Sequence, residues 1–264
     1  MSVSPFALRL LAAWFALVVG FLVLPLLMLF PISLSPTQFL RFPPEGLSLR
    51  WYQGFFSDRS WVEATWLSLK VGGAATALSL LLGTAAALAI ARGRFPGRQL
   101  LYALMIAPLI VPTVILALGL FIVFAKARLL ENFAALVLAH TVIAVPYVVL
   151  IVAAALRNID PTIERAARVM GAGPLAAFGH VTLPAIAPAL FASGLFAFFA
   201  SFDELVITHF VSGAMETLPL RIWNDLNLRL DPTVAAVACM LILLSVLGMG
   251  IAEAMRRRAE AKKD

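Results

Sequence analysis

Long apolar runs alternate with short polar segments along this chain of 264 residues. Each run is roughly 18 residues or longer, which is enough for an α-helix to cross a hydrocarbon core of about 30 Å. The ten-residue alternation of apolar and polar positions that is typical of membrane β-strands is absent. The pattern predicts an all-α membrane protein with six transmembrane helices. The six runs are Leu10–Phe30, Ala64–Ala91, Leu100–Ala125, Phe133–Leu156, Ile186–Phe210 and Val234–Ala252.

The composition also predicts a membrane protein. Hydrophobic residues make up 62% of the chain and charged residues 13%, and the mean hydropathy is +0.98. A soluble chain of this length would expose more charge, so we expect a polytopic protein without a large soluble domain. The first run is longer than a signal-peptide core and no small-x-small cleavage site closes it, so we expect a retained first helix. Cys239 has no partner and is expected to be an apolar packing residue.

The basic residues predict the orientation of the helices. Because cytoplasmic loops carry the excess of Lys and Arg, we expect both termini to be cytoplasmic. The sequence pI near 10.1 then reflects topology. A nucleic-acid partner is not expected, since no soluble domain is left to form a basic groove. The side predicted to be cytoplasmic carries 12 of the 20 basic residues: Arg9, Arg92, Arg94, Arg98, Arg157, Arg165, Arg168, Arg256, Arg257, Arg258, Lys262 and Lys263. The other side carries Arg41, Arg50, Arg59, Lys126, Arg128, Arg221 and Arg229.

A polar, glycine- and proline-containing segment separates the fourth and fifth runs. Asp160 suits the N-cap of a helix and Pro161 its first position. Gly171 suits the left-handed residue that ends a helix, and Pro174 can begin the next one. We therefore expect a short helix of about ten residues, some 15 Å long, then a sharp turn and a second short helix. The first helix has an apolar stripe at i, i+3, i+4 and i+7: Ile163, Ala166, Ala167 and Met170. From this periodicity alone, an amphipathic helix lying on lipid headgroups is an alternative that needs no partner.

The residues of this segment resemble a known motif. Ala166-Ala167, three residues, Gly171, nine residues and Val181-x-Leu183-Pro184 are similar to the EAA loop of binding-protein-dependent ABC importer permeases. The spacing matches without a gap. One position departs from the pattern, because the motif glutamate falls on Arg165 and the acid here is Glu164, one residue earlier.

The resemblance implies a type I ABC importer (MetI-like) permease fold and a bacterial inner-membrane location. It implies that the short helix docks on a cytoplasmic ATPase subunit and transmits its closure to the membrane helices. The chain has no G-x-x-x-x-G-K-[ST] motif, so it is not expected to be an enzyme, and ATP and Mg would be held by the partner. The implied partners are a second, different permease chain, two ATP-binding subunits and an external substrate-binding protein. The implied coupling residues are Glu164, Arg165, Ala166, Ala167, Arg168, Gly171, Ala172, Leu183 and Pro184.

The same resemblance suggests a division of the chain. Residues 1–59 form the first helix and first outer loop, residues 60–252 the transport core, and residues 253–264 a basic cytoplasmic tail. The coupling loop occupies residues 157–185 of the core. The outer loops Ser33–Ser60 and Ser212–Thr233 are expected to meet the binding protein.

A second stretch of sequence narrows the resemblance. "SFDELVITHFVSG", Ser201 to Gly213, followed by "LPLRIWNDL" and "DPTVAA", is similar to the polyamine branch of these permeases. This implies import of putrescine, spermidine or related small organic cations. Another amino-bearing compound, an opine-like solute or a metal ion are alternative substrates within the same family.

Asp203 and Glu204 are the acids of the fifth run, about 10 Å from its outer end if the helix is continuous. A buried acid in hydrocarbon costs at least ~2.5 kcal/mol, so both should face protein or water. Ser201, Glu204 and Thr208 fall at i, i+3 and i+7 and predict a polar stripe on one helix face. We expect these four residues to line a path for a cation. The alternative is that one of the acids pairs with Lys70, or with a cation of another helix, for structural reasons alone.

Other functions and features are less well supported by the sequence. An ion-coupled secondary transporter would show internal repeats, and the sequence has no convincing repeat. An intramembrane enzyme would need a catalytic dyad or an H-E-x-x-H helix, and the sequence has neither of these. His140, His180 and His209 are too scattered to predict a metal site. Pro108 and Pro112 predict a bend in the third run, which is a hinge or a packing bend. The small residues Gly72, Gly73 and Gly83 predict close helix contact.

Overall fold

The computed structural model describes residues 5–38, 42–228 and 232–260, and within these ranges it contains helices and no β-strand. Four of the basic residues used to predict the orientation lie outside the described residues: Arg41, Arg229, Lys262 and Lys263. Positions 261–264 of the predicted tail also lie outside them. The helices are α1 Pro5–Ser33, α2 Arg50–Ser57, α3 Arg59–Arg92, α4 Arg98–Ile110, α5 Thr113–Lys126, α6 Phe133–Arg157, α7 Pro161–Val169, α8 Pro174–Ala177, α9 Leu183–Phe202, α10 Val206–Val211, α11 Leu218–Leu228 and α12 Thr233–Glu260. A π-helical turn, Phe178–Thr182, joins α8 to α9.

The chain forms two compact units. The first comprises Met1–Val62 and Ile222–Asp264. In it, α1 and α2 both pack against α12. The indole N–H of Trp51 donates to the backbone carbonyl of Ser35 at 2.7 Å, and the hydroxyls of Ser33 and Tyr52 lie 2.8 Å apart. These contacts attach the amphipathic α2 to the end of α1. Buried Cys239 lies on α12, in agreement with the predicted packing role.

The second unit, Glu63–Arg221, contains both candidate sites. Its centre is α6, which packs against α4, α9 and α10. A Cβ placed on Gly83 of α3 would come within 2.8 Å of the Val148 side chain, so glycine is needed there for close approach, as predicted. Gly73, by contrast, has open space. One apolar core is formed by Ala87, Ala144, Val148, Val152, Ala153, Leu156, Ile186 and Ala197. A second is formed by Ala117, Phe124, Ala135, Ala139, Ile207 and Val211.

Among the described residues, four helices are long and apolar enough to cross a membrane, or five if a bent pair counts as one. The predicted number of six is therefore not confirmed. The apolar part of α12, Thr233–Gly248, is shorter than a full span. The third run is not one helix, because α4 and α5 meet at 108°. Val111 is extended there, as expected for a residue before Pro112, whose ring disfavours helical geometry in its predecessor.

Candidate functional site

The short helix α7 begins as predicted. The carboxylate of Asp160 accepts a hydrogen bond from the backbone N–H of Thr162 at 2.8 Å, and Pro161 occupies the first helical position. This backbone hydrogen bond holds the pKa of Asp160 below its usual value, with smaller help from the positive charge of Arg165. The cap satisfies a donor that has no partner within the helix.

The end of α7 is a Schellman motif centred on Gly171. The φ angle of Gly171 is +96°. Its N–H donates to Arg168 O at 3.1 Å, and the N–H of Ala172 donates to Ala167 O at 3.1 Å. Both bonds are those expected at a left-handed helix end. The predicted helix, glycine stop and second helix beginning at Pro174 are therefore confirmed.

Around α7, apolar side chains face outward. Ile163 and Met170, which belong to the predicted stripe, are 55% and 82% exposed. Val169 and Leu175 are still more exposed, at 88% and 87%, although the sequence periodicity did not single them out. Ala166 is also exposed, whereas Ala167 is half-buried. The helix thus presents an apolar surface that the described residues do not cover.

The side chains of Glu164 and Arg165 lie in different environments. Glu164 is half-buried, forms an ion pair with Arg92 at the end of α3, and accepts a hydrogen bond from the Thr182 hydroxyl at 2.8 Å. Arg165 is exposed, and its Nε donates to the backbone carbonyl of Pro161 at 3.4 Å. Sequence reasoning identified Glu164 but missed Arg92 and Thr182, which are remote in the chain. Leu183 and Pro184 are exposed at the start of α9.

The second candidate site is a break in the fifth predicted helix. That helix was expected to continue to Phe210, but α9 ends at Phe202 and α10 begins at Val206. Asp203 is exposed and caps the end of α9. The carboxylate of Glu204 accepts a hydrogen bond from the backbone N–H of Ile207 at 2.8 Å. A carboxylate at this position stabilises a helix start, which favours breaking and restarting the helix here.

His140 joins the two sides of this break. It lies on α6 with 1% of its surface exposed. Its Nδ1 is 2.8 Å from Ser201 Oγ on α9, and its Nε2 is 3.0 Å from Thr208 Oγ1 on α10. The Thr208 hydroxyl donates to the backbone carbonyl of Glu204 at 3.0 Å. In the neutral ring, Nε2–H would therefore donate to Thr208 and Nδ1 would accept from Ser201.

The predicted polar stripe is thus partly correct. Ser201 and Thr208 do share one environment, but they are brought together by His140 rather than by one continuous helix. Glu204 lies in the non-helical break and not on the stripe. Among the described residues, neither Asp203 nor Glu204 forms an ion pair with the exposed Lys70 or with another cation, so the structural pairing considered as an alternative is not found. The described residues also contain no group of three or more potential metal-binding side chains.

A family model for the binding-protein-dependent transport system inner membrane component matches residues 79–261, more than half of the chain. The chain belongs to this family. It is therefore a permease component of a membrane transport system, as the EAA-like loop predicted, and a multi-pass membrane protein.

Several curated relatives of this permease cover most of its length. It is 34% identical to the putrescine transport system permease PotI of Escherichia coli strain K12, over 92% of the chain and 89% of the relative. It is 28% identical to the spermidine/putrescine permease PotC of Haemophilus influenzae, over 93% and 96%. It is 30% identical to the trehalose permease SugB of Mycobacterium tuberculosis, over 79% and 78%.

A solved structure has the same fold. It is a bacterial ABC transporter involved in the import of the acidic polysaccharide alginate, and it matches with a TM-score of 0.74 at 15% identity. The match covers 96% of this permease and 99% of that chain. The predicted importer permease fold is therefore confirmed.

Proposed function

We propose that this permease imports polyamines or closely related small organic cations, using ATP hydrolysed by partner subunits. The observation that carries the proposal is the likeness to PotI, which extends over 92% of the chain. The order of matched sequence blocks from Ser201 onward supports it as well. The chain would bind no cofactor itself, and ATP and Mg would be bound by two copies of an ATPase subunit.

The exposed apolar surface around α7 supports docking of such a subunit. Isolated apolar side chains on a surface are common, but Val169, Met170 and Leu175 are each more than 80% exposed and close in sequence. A partner that covers them removes apolar area from water. We further propose that a second, different permease chain and an external substrate-binding protein complete the importer, and that both termini face the cytoplasm.

The break between α9 and α10 is the part of the proposal that concerns the substrate. A broken helix exposes backbone polar groups, and at membrane depth this is tolerated only where protein or a water-filled cavity surrounds it. Asp203 and Glu204 place negative charge at this break, which offsets part of the desolvation cost of a cation. We therefore assign Asp203 and Glu204 to the substrate pathway, together with Ser201 and Thr208, whose hydroxyls lie at the same break against His140.

The test is uptake by the reconstituted importer carrying Glu204→Gln, Asp203→Asn or both. Glutamine retains a carbonyl oxygen that can accept the hydrogen bond from Ile207, so Glu204→Gln removes the charge and leaves the start of α10 intact. We expect slower uptake of labelled putrescine with an unchanged amount of assembled complex. The matched control is Glu131→Gln, which neutralises an exposed acid outside the break.

Two results would contradict this proposal. Wild-type uptake in the double variant would show that Asp203 and Glu204 do not line the path of the cation. Uptake of neutral sugars but not of polyamines by the unaltered importer would overturn the substrate assignment, an outcome that the likeness to a trehalose permease makes worth measuring.

A further inference from the structure

Three elements of the second unit meet at Glu164. The carboxylate lies in the first turn of α7 and forms an ion pair with Arg92, in the last turn of α3. The hydroxyl of Thr182, in the turn that leads into α9, donates to the same carboxylate oxygen at 2.8 Å. The guanidinium of Arg92 also reaches the Thr182 hydroxyl at 3.4 Å. One acid thus connects the short helix to two long membrane helices.

The charges in this cluster suit the helix ends on which they lie. A negative side chain in the first turn of a helix and a positive one in the last turn both interact favourably with the helix dipole. Thr182 is fully buried, and the Arg92 side chain is 23% exposed. Nε and Nη2 of Arg92 are buried without a hydrogen-bond partner among the described residues. Glu164 therefore supplies the negative charge that compensates this guanidinium, and its loss would leave a partly buried cation unpaired.

The cluster also explains the departure from the EAA pattern. The residue at the motif glutamate position, Arg165, is exposed and donates to the nearby backbone carbonyl of Pro161, whereas the acid one residue earlier turns inward. We propose that Glu164, Arg92 and Thr182 form an internal joint that makes α7, α3 and α9 move as one body when an ATPase pushes on α7. This inference rests on the proposed docking of the ATPase. The three residues are positioning residues and contact neither nucleotide nor substrate.

A first test removes each charge of the ion pair. Glu164→Gln and Arg92→Gln are compared with Arg94→Gln, which removes an exposed arginine two residues after Arg92. The reconstituted importer is assayed for ATPase binding, ATP hydrolysis stimulated by the binding protein, and uptake per ATP hydrolysed. We expect retained ATPase binding and uptake per ATP that falls about fivefold or more, the size of a typical coupling between sites, while Arg94→Gln behaves as the wild type.

A second test exchanges the two charges. The single variants Arg92→Glu and Glu164→Arg should each lose uptake per ATP. We expect the double variant Arg92→Glu with Glu164→Arg to recover a substantial part of that loss. A role in folding alone gives a different result: protein levels fall, and the complex that does assemble transports with wild-type uptake per ATP. That result would overturn the joint.

A third measurement leaves the ion pair unaltered and does not depend on how the variants fold. Spin labels at Thr162 on α7 and at Leu82 on α3, both exposed, report the distance between these helices with and without ATP. We expect an unchanged distance while the complex closes. A distance that changes on ATP binding would show that α7 moves independently, and the joint would be rejected.

The joint and the docking proposal fail differently. If no ATPase subunit binds the unaltered permease, the proposed function is wrong. If the ATPase binds and drives uptake, but Glu164→Gln and Arg92→Gln match Arg94→Gln, only the joint is wrong.

Discussion

At the level of single residues, Gly171 and Gly173 separate the effect of backbone conformation from that of space. A Cβ at either position would meet no atom within 4 Å. Gly171 has φ of +96°, whereas Gly173 has φ of −64° and ψ of 164°, which any residue adopts. Any residue other than glycine is therefore strained at position 171 and not at position 173, even though both positions are exposed in the same turn.

We expect Gly171→Val to impair transport and Gly173→Val to have little effect. A left-handed conformation costs a residue with a Cβ roughly 1–2 kcal/mol, and more for a β-branched one, so the Schellman motif should open in the first variant. Uptake and ATPase co-purification are the measurements, with membrane insertion as the control. Arg165→Ala should be milder than Gly171→Val. Normal uptake in Gly171→Val would argue against docking through this turn.

Asp160 gives a prediction about pH. Its folded-state pKa is lowered, so its capping contribution is present above the usual carboxyl pKa and is lost as the pH falls through the lower, folded-state value. We expect Asp160→Asn to keep α7 protected from hydrogen exchange, because Asn caps as well as Asp, and Asp160→Ala to expose the first amides. The protection of wild-type α7 should decrease on strong acidification, and that of Asp160→Asn should not follow it. Equal protection in all three proteins would show that the cap does not hold the helix start.

At the level of elements, His140 bridges the break between α9 and α10. The imidazole contacts Ser201 before the break and Thr208 after it. Two elements that a missing turn would otherwise leave loosely connected are thereby held against α6. Glu204 takes part in this arrangement, since it provides both the carbonyl that accepts from Thr208 and the carboxylate that caps α10.

We expect His140→Ala to lower the stability of the permease by about 1 kcal/mol, because hydrogen bonds between membrane helices contribute about 0.6 kcal/mol each on average. Hydrogen exchange should increase at α10 more than at α6. His209→Ala is the matched control, since His209 is exposed on α10 and stacks edge-on against Phe210. If both variants exchange alike at α10, His140 does not hold the break.

At the level of the whole molecule, the orientation of the chain in the membrane is a prediction that a topology experiment can test. The distribution of basic residues predicts that both termini lie in the cytoplasm. Reporter fusions after Asp264 and within the predicted outer loop Ser212–Thr233, which contains α11, should lie on opposite sides of the membrane. Finding both on one side would exclude the predicted arrangement and with it the cytoplasmic location of α7.

The sequence by itself determined the class of protein, the position of most helices and the form of the α7 turn. These features depend on local information: hydropathy over about 20 residues, a capping Asp followed by Pro, and a glycine that tolerates positive φ. The same holds for the family, because the spacing from Ala166 to Pro184 is a local pattern. All of this could be read without knowing which helices are neighbours.

The tertiary structure decided which helices are interrupted and which polar residues meet. Periodicity could not distinguish a continuous fifth helix from α9 and α10, because a break costs little when distant groups such as His140 satisfy the polar atoms around it. Nor could it show that Glu164 lies beside Arg92, 72 positions earlier in the chain. Such pairs are set by the packing of helices that are remote in sequence. The sequence showed that the acid is present, and only the packing decides which side chain it contacts.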